Sequence, residues 1–192
     1  ALGVDHPDTI TSRAWMADLY GKQGFLDKAS PLLEEVVSAR ERVQGRDHPD
    51  VASALNNRAG LLSAKSKYAE AQPLFERALA VNEVALGVDH PSTITSRAWM
   101  ADLYQKQGFL DKASPLLEEV VSARERVQGR DHPDVASALN NRASLLKAQG
   151  KYDEADPLYV RAIEIGEKTL GPDHPSVATR LNNRAELLRA QV

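Results

Sequence analysis

Every histidine in the chain stands in the same tripeptide, Asp-His-Pro, at residues 5–7, 47–49, 89–91, 131–133 and 173–175, so imidazole chemistry recurs every 42 residues. An imidazole beside a carboxylate could bind a metal ion or relay a proton. Equivalent residues of stacked helix layers, however, lie on the order of 10 Å apart, too far for one ion to bridge. The motif has a structural use instead: Asp5 or His6 can cap a helix that Pro7 begins, where the missing N–H of proline costs nothing. No phosphate-cradling Gly-rich loop and no His-Glu-x-x-His pattern occurs, and the serines have no co-located His and Asp outside these connectors. Neither a catalytic residue, a metal nor a cofactor is expected.

Asparagine and tryptophan carry more information. Paired asparagines recur as Asn56-Asn57, Asn140-Asn141 and Asn182-Asn183, and the only tryptophans, Trp15 and Trp99, occupy the place of the second asparagine in the alternate copies. An amide offers two donors and an acceptor, so a ladder of amides can hold an extended peptide backbone without reading its sequence. Tryptophan is the side chain most enriched at binding hot spots. Both residue types also pack between helices, and that reading stays open beside the binding one.

These side chains must be positioned by a repeat. Residues 1–84 aligned on 85–168 differ at 15 positions and agree at 69, so two module types alternate with a double period of 84. Such near-identity fits either recent duplication or deliberate construction. The modules run 7–48, 49–90, 91–132 and 133–174, followed by a half repeat at 175–192. In each, a first helix opens at the proline and ends at a Gly-containing turn, as over 7–22, with Ile10, Ala17 and Tyr20 at helical spacing and Met16 and Leu19 beside them. The second helix, as over 26–44, buries Ala29, Leu32, Leu33, Val36 and Val37, leaves Glu34, Arg40, Glu41 and Arg42 largely solvated, and is closed by Gly45.

The runs LGVDHP, LNNRA and KYxEAxPL, with small residues at Ala17, Ala59, Ala101, Ala143 and Ala185, resemble the tetratricopeptide repeat in the 42-residue form found in kinesin light chains. The array is also similar to those attached to NB-ARC modules. The resemblance covers the whole chain and implies an all-α fold: a right-handed α-solenoid, or superhelix, of antiparallel helix pairs, about nine helices in one domain over 1–192, with the helix over 175–191 covering the last layer. One departure stands out. Where the related repeats read LNNLA, this chain has Arg58, Arg142 and Arg184, and the alternate modules replace the first leucine by Arg13 and Arg97. Such arginines either pack their stems while the guanidinium snorkels or pairs with a glutamate of a neighbouring second helix, or contact a ligand.

In that fold the first helices line a concave groove. The stripe on the first module is Thr11, Ala14, Trp15, Asp18, Gly21 and Lys22; later copies contribute Asn56, Asn57, Trp99, Asp102, Gln105, Lys106, Asn140, Asn141, Lys147, Asn182, Asn183 and Arg189. The resemblance implies that Asn57, Asn141 and Asn183 hold ligand backbone or a terminal carboxylate. Of six differences between the two halves within first helices and their turns, the pairs 21/105, 60/144 and 63/147 fall on this stripe, as a diversifying surface or as neutral drift. Lys147, Arg184 and Arg189 make its C-terminal end the more basic, which favours an acidic peptide segment or a C-terminal carboxylate there.

With 27 acidic and 24 basic side chains the net charge is −3, which offers no basic footprint for nucleic acid or membrane. The absence of cysteine gives no sign of an oxidising compartment, and no apolar run approaches a membrane span. A start at Ala1 rather than Met reads as an excised piece of a longer protein. The expected role is a non-enzymatic, cytoplasmic scaffold that binds a peptide or partner protein in the groove. The alternative is a structural spacer whose ends self-associate end to end.

Overall fold

The computed structural model describes residues 3–191; Ala1, Leu2 and Val192, at the ends of the expected array, lie outside them. Among the described residues there are nine helices and no strand: α1 (Pro7–Lys22), α2 (Leu26–Gln44), α3 (Pro49–Ala64), α4 (Tyr68–Leu86), α5 (Pro91–Lys106), α6 (Leu110–Gln128), α7 (Pro133–Ala148), α8 (Tyr152–Leu170) and α9 (Pro175–Ala190). They pack as two compact units, Ala1–Leu103 and Tyr104–Val192, whose boundary falls inside α5. None of these helices is long and apolar enough to cross a membrane.

The connector chemistry explains the helix starts. Of the two candidate caps it is the histidine that acts: His6 Nδ1 accepts the backbone N–H of Asp8 at 3.2 Å, and His48, His90, His132 and His174 accept from the residue two positions on at 3.1 Å. The cap satisfies an amide that the helix itself leaves unpaired. It also commits Nδ1, and no group of three or more His, Asp or Glu among the described residues could hold a metal. The aspartate of the motif is thereby released to tie a connector to the helix pair that follows it: Asp5, ahead of α1, accepts from Arg42 in the last turn of α2, and Asp131, ahead of α7, from Lys168 in the last turn of α8. Gly45 ends α2 at φ +87°, a conformation that disfavours any side chain.

Packing within the first unit joins successive modules. Ile10 of α1, Val36 and Val37 of α2, Val51 and Leu55 of α3 and Ala78 and Val81 of α4 form one buried cluster; Ala17, Ala29, Leu33 and Leu61 form a second. In the second unit Ala143, Leu146, Ala155, Tyr159 and Leu187 do the same between α7, α8 and α9. Burial of each large side chain contributes roughly 1.5–3 kcal/mol.

Two expectations change in detail. Met16 and Leu19 are 48% and 52% exposed in α1, whereas their repeat counterparts Met100 and Leu103 in α5 are 4% and 0% exposed, so burial follows the neighbouring helix rather than the residue type. Arg40 and Glu41 are half-buried rather than solvated: Arg40 donates to the Asp50 carbonyl at 2.6 Å, and Arg77 of α4 reaches back to Glu41 at 2.5 Å and donates to the Arg46 carbonyl at 3.0 Å. Arg161 and Glu125 repeat this tie at 2.6 Å in the second unit. The core arginines all find carboxylates: Arg13 with Glu35 (3.2 Å), Arg58 with Glu34 (3.0 Å), Arg97 with Glu83 (2.7 Å), Arg142 with Glu118 (2.8 Å) and Arg184 with Asp156 (2.7 Å). Their charge is used in pairing between helices.

Candidate functional site

A hollow of about 330 Å³ opens in the first unit. It is lined by apolar Ala14, Ala17, Leu26, Leu33, Leu61 and Ala64 together with Asn57, Trp99, Asp18 and Lys22. Lys22 holds Asp18 at 2.7 Å across one helical turn, so the two charges in the lining cancel. Two glycines inside helices, Gly21 and Gly60, complete the lining. A Cβ on Gly21 would meet nothing, and one on Gly60 would lie 3.4 Å from Trp99 Cζ3, so both glycines leave space rather than relieve backbone strain. Trp99 is half-buried, its ring perpendicular to that of Phe75 with centroids 5.8 Å apart. Trp15, at the same place in the first module, is 73% exposed.

Asn57 and Trp99 are shared with a second hollow of about 260 Å³, lined also by Ser53, Asn56, Asn82, Pro91, Ser92 and Thr95. The adjacent asparagines of the pair therefore do different things. Asn57 is exposed and its amide makes no hydrogen bond among the described residues. Asn56 is 7% exposed and donates through Nδ2 to Ser96 Oγ at 2.7 Å. Asn82, 1% exposed, donates to the same oxygen at 2.9 Å, while Ser96 Oγ donates to the Ser92 carbonyl at 3.0 Å. Reading the sequence for its groove missed Asn82 and Ser96. A signal existed, since Asn82 stands where two other modules have Arg40 and Arg124.

Other expected groove residues are more dispersed. Thr11 is half-buried in α1; Asp102 and Lys106 are exposed and Gln105 half-buried along α5. In the second unit Asn141 and Asn182 are exposed, and Asn183 Nδ2 donates to Asn140 Oδ1 at 3.0 Å, joining α9 to α7. Lys147 donates to Glu186 at 2.8 Å, and Arg184 engages both oxygens of Asp156. The hydrogen bond from Lys147, helped by the charges of Lys147 and Arg189, holds the Glu186 carboxyl below its ordinary value. The basic end expected to draw acidic segments is thus largely neutralised by the chain's own carboxylates. A hollow of about 530 Å³ in this unit is walled by Gly108–Lys112, Gln149 and Lys151, and none of the expected groove residues lines it.

The tetratricopeptide repeat pattern matches at residues 8–83, 50–98, 93–155 and 134–191. The chain belongs to the tetratricopeptide repeat family.

Among solved structures these tetratricopeptide repeats are similar to a Podosopora anserina protein with nearly identical TPR-like repeats, provisionally a kinesin light chain, at 28% identity over 97% of this chain and 88% of that one, with a TM-score of 0.82. A point variant of the same protein gives a TM-score of 0.83 at 28% identity over the same shares. BtubC (BKLC) from P. vanneervenii shares the fold, with a TM-score of 0.83 at 20% identity over 98% of this chain and 74% of that one. No curated protein matches the sequence. The all-α solenoid class expected from the repeat is the class of these neighbours, and the tetratricopeptide repeat is an interaction scaffold.

Proposed function

We propose that this tetratricopeptide array is a non-enzymatic, cytoplasmic scaffold that captures an extended segment of a partner protein along its first helices. The observation that carries this reading is Asn57. Its exposed amide stands beside Trp99 where two hollows of about 330 and 260 Å³ adjoin. An amide with unpaired donors and acceptor reads peptide backbone, and hollows on either side accept the side chains that alternate along an extended segment. Asn141 repeats the exposed amide in the second unit. The likeness to kinesin-light-chain-type repeats supports the scaffold role.

The test is selection of a displayed random-peptide library on the chain, followed by isothermal titration with Asn57→Ala and Trp99→Ala variants. Selected peptides losing at least tenfold in affinity with either variant support the reading. Selection of no peptide, or of peptides indifferent to both substitutions, overturns it.

One observation favours a second reading, self-association. Trp15, Met16 and Leu19 make an exposed apolar row on α1, and the same residue types in α5 are packed against the helices of the preceding module. Light scattering across protein concentration tests it. A mass rising with concentration, and falling back with Leu19→Lys, supports self-association; a constant monomer mass removes it.

A further inference from the structure

The polar hollow beside Asn57 is short of hydrogen-bond donors. Ser96 Oγ accepts from both Asn56 Nδ2 and Asn82 Nδ2 and gives its own proton to the Ser92 carbonyl, which fills its bonding capacity. Each amide nitrogen spends a proton on Ser96 Oγ and Asn82 Nδ2 spends its other on the Ser92 carbonyl at 3.4 Å, while both amide oxygens, Asn56 Oδ1 and Asn82 Oδ1, are buried with no partner. Buried acceptors of this kind are costly unless a donor reaches them. The hollow is open past Ser53, Asn57 and Thr95, all exposed.

The chain itself shows what fills this position elsewhere. Eighty-four residues on, Asn82 becomes Gly166 and Ser96 becomes Arg180. The Arg180 guanidinium is buried against Gly166, where a Cβ would collide with it, and its Nη2 donates at 3.3 Å to Ser137 Oγ, the counterpart of Ser53. In the layers between α2 and α3 and between α6 and α7 the counterpart of Asn82 is an arginine. Arg40 Nη1 donates to the Asp50 carbonyl at 2.6 Å, and Arg124 Nη1 to the Asp134 carbonyl at 2.7 Å. These carbonyls are the counterparts of the Ser92 carbonyl. Three layers thus place a guanidinium of their own at this position. In the layer of α4 and α5 the arginine present, Arg97, turns to Glu83 and does not line the hollow.

We propose that the hollow of Ser53, Asn56, Asn82 and Ser92 is a receptor for an arginine side chain of a bound segment, whose guanidinium donates to Asn56 Oδ1 and Asn82 Oδ1 once the two buried amides turn toward it. That the arginine arrives on a peptide rests on the groove reading above. The lining contains no carboxylate, which suits the planar, weakly hydrated guanidinium better than a compact, strongly hydrated ammonium.

A Trp15→Phe variant leaves Trp99, which lines the hollow, as the only indole. Its emission is followed while N-acetyl-argininamide, N-acetyl-lysinamide or N-acetyl-glutaminamide is added to the whole chain. A saturable response to the arginine probe, at least tenfold tighter than to the other two, supports the receptor. The response must then vanish when Asn82→Gly and Ser96→Arg are made together, since the chain's own guanidinium now takes the place as in the second unit. Asn56→Ala with Asn82→Ala, which removes only the two acceptors, must weaken it as well. Equal responses to the three probes, or an arginine response that survives both variants, overturns the proposal. Probe binding without any selected peptide would leave the receptor standing and sink the groove reading; selected peptides with no response to arginine would do the reverse.

Discussion

Trp99 meets Phe75 edge-on, ring centroids 5.8 Å apart and planes at 90°, with Gly60 beneath the indole. Eighty-four residues on, the three positions hold Asn183, Tyr159 and Ser144, and Ser144 Oγ and Tyr159 Oη share a hydrogen bond of 2.8 Å. The trio changes as a set: an apolar stack in one copy, a polar pair in the other. A double-mutant cycle of Phe75→Leu and Trp99→Leu, read by urea unfolding, should give a coupling of about 0.5–1.5 kcal/mol. Additive effects would mean that the ring contact contributes nothing beyond area.

The histidine caps predict a simple stability series. His132→Ala should cost about 1 kcal/mol, because the Asp134 amide loses its acceptor, and His132→Asn should restore most of it. Equal losses for Ala and Asn would point to a packing role instead. Thermal unfolding of the three proteins checks this.

Ser66 is the one non-glycine among the described residues at positive φ, +58°, and its counterpart is Gly150 at +75°. Left-handed backbone costs a residue with a Cβ roughly 1 kcal/mol. Ser66→Gly should therefore stabilise the protein by up to about 1 kcal/mol, seen as a higher urea midpoint with an unchanged slope.

Acid should loosen the array through specific pairs. Hydrogen bonds from Arg42 to Asp5, from Lys65 to Asp27, from Lys168 to Asp131 and from Lys147 to Glu186 hold these carboxyls below the ordinary values of 3.8 and 4.5. A folded-state value lower than the unfolded one contributes stability that is fully present above the unfolded value and disappears as pH falls through the folded one. Urea midpoints should accordingly be flat near neutrality and begin to drop as pH passes below about 4.5. Asp27→Asn should flatten part of that drop, and so should high salt, because the pairs are solvent-exposed. A drop of unchanged size in both cases would assign acid sensitivity to other groups.

The periodic residues foretold the architecture well because its signals are local. Pro7 and Gly45 bracket one helix pair, and α1 and α2 keep the bounds 7–22 and 26–44 read from them. For Arg58 and Arg142 one of the two readings open in the sequence, pairing with a glutamate of the neighbouring second helix, is the one the structure takes. What stayed hidden depends on neighbours. Met16 and Met100 are the same residue at the same spacing, yet one is exposed and the other buried. Asn56 and Asn57 are adjacent, and a turn of about 100° per residue sends one amide inward to Ser96 and leaves the other outside. Asn82 lies on a second helix, away from the stripe read as the groove, and only packing brings it beside Asn56.

The most direct test of capture along the first helices is a map of where a selected peptide touches the chain, from amide, side-chain amide and indole chemical shifts in NMR spectra. The proposed function predicts the largest changes at the Asn57 side-chain amide, the Trp99 indole, Gly21 and Gly60, the residues that line the first-unit hollow. Changes confined to the outer faces of α2 and α4, with Asn57 and Trp99 unmoved, would contradict it.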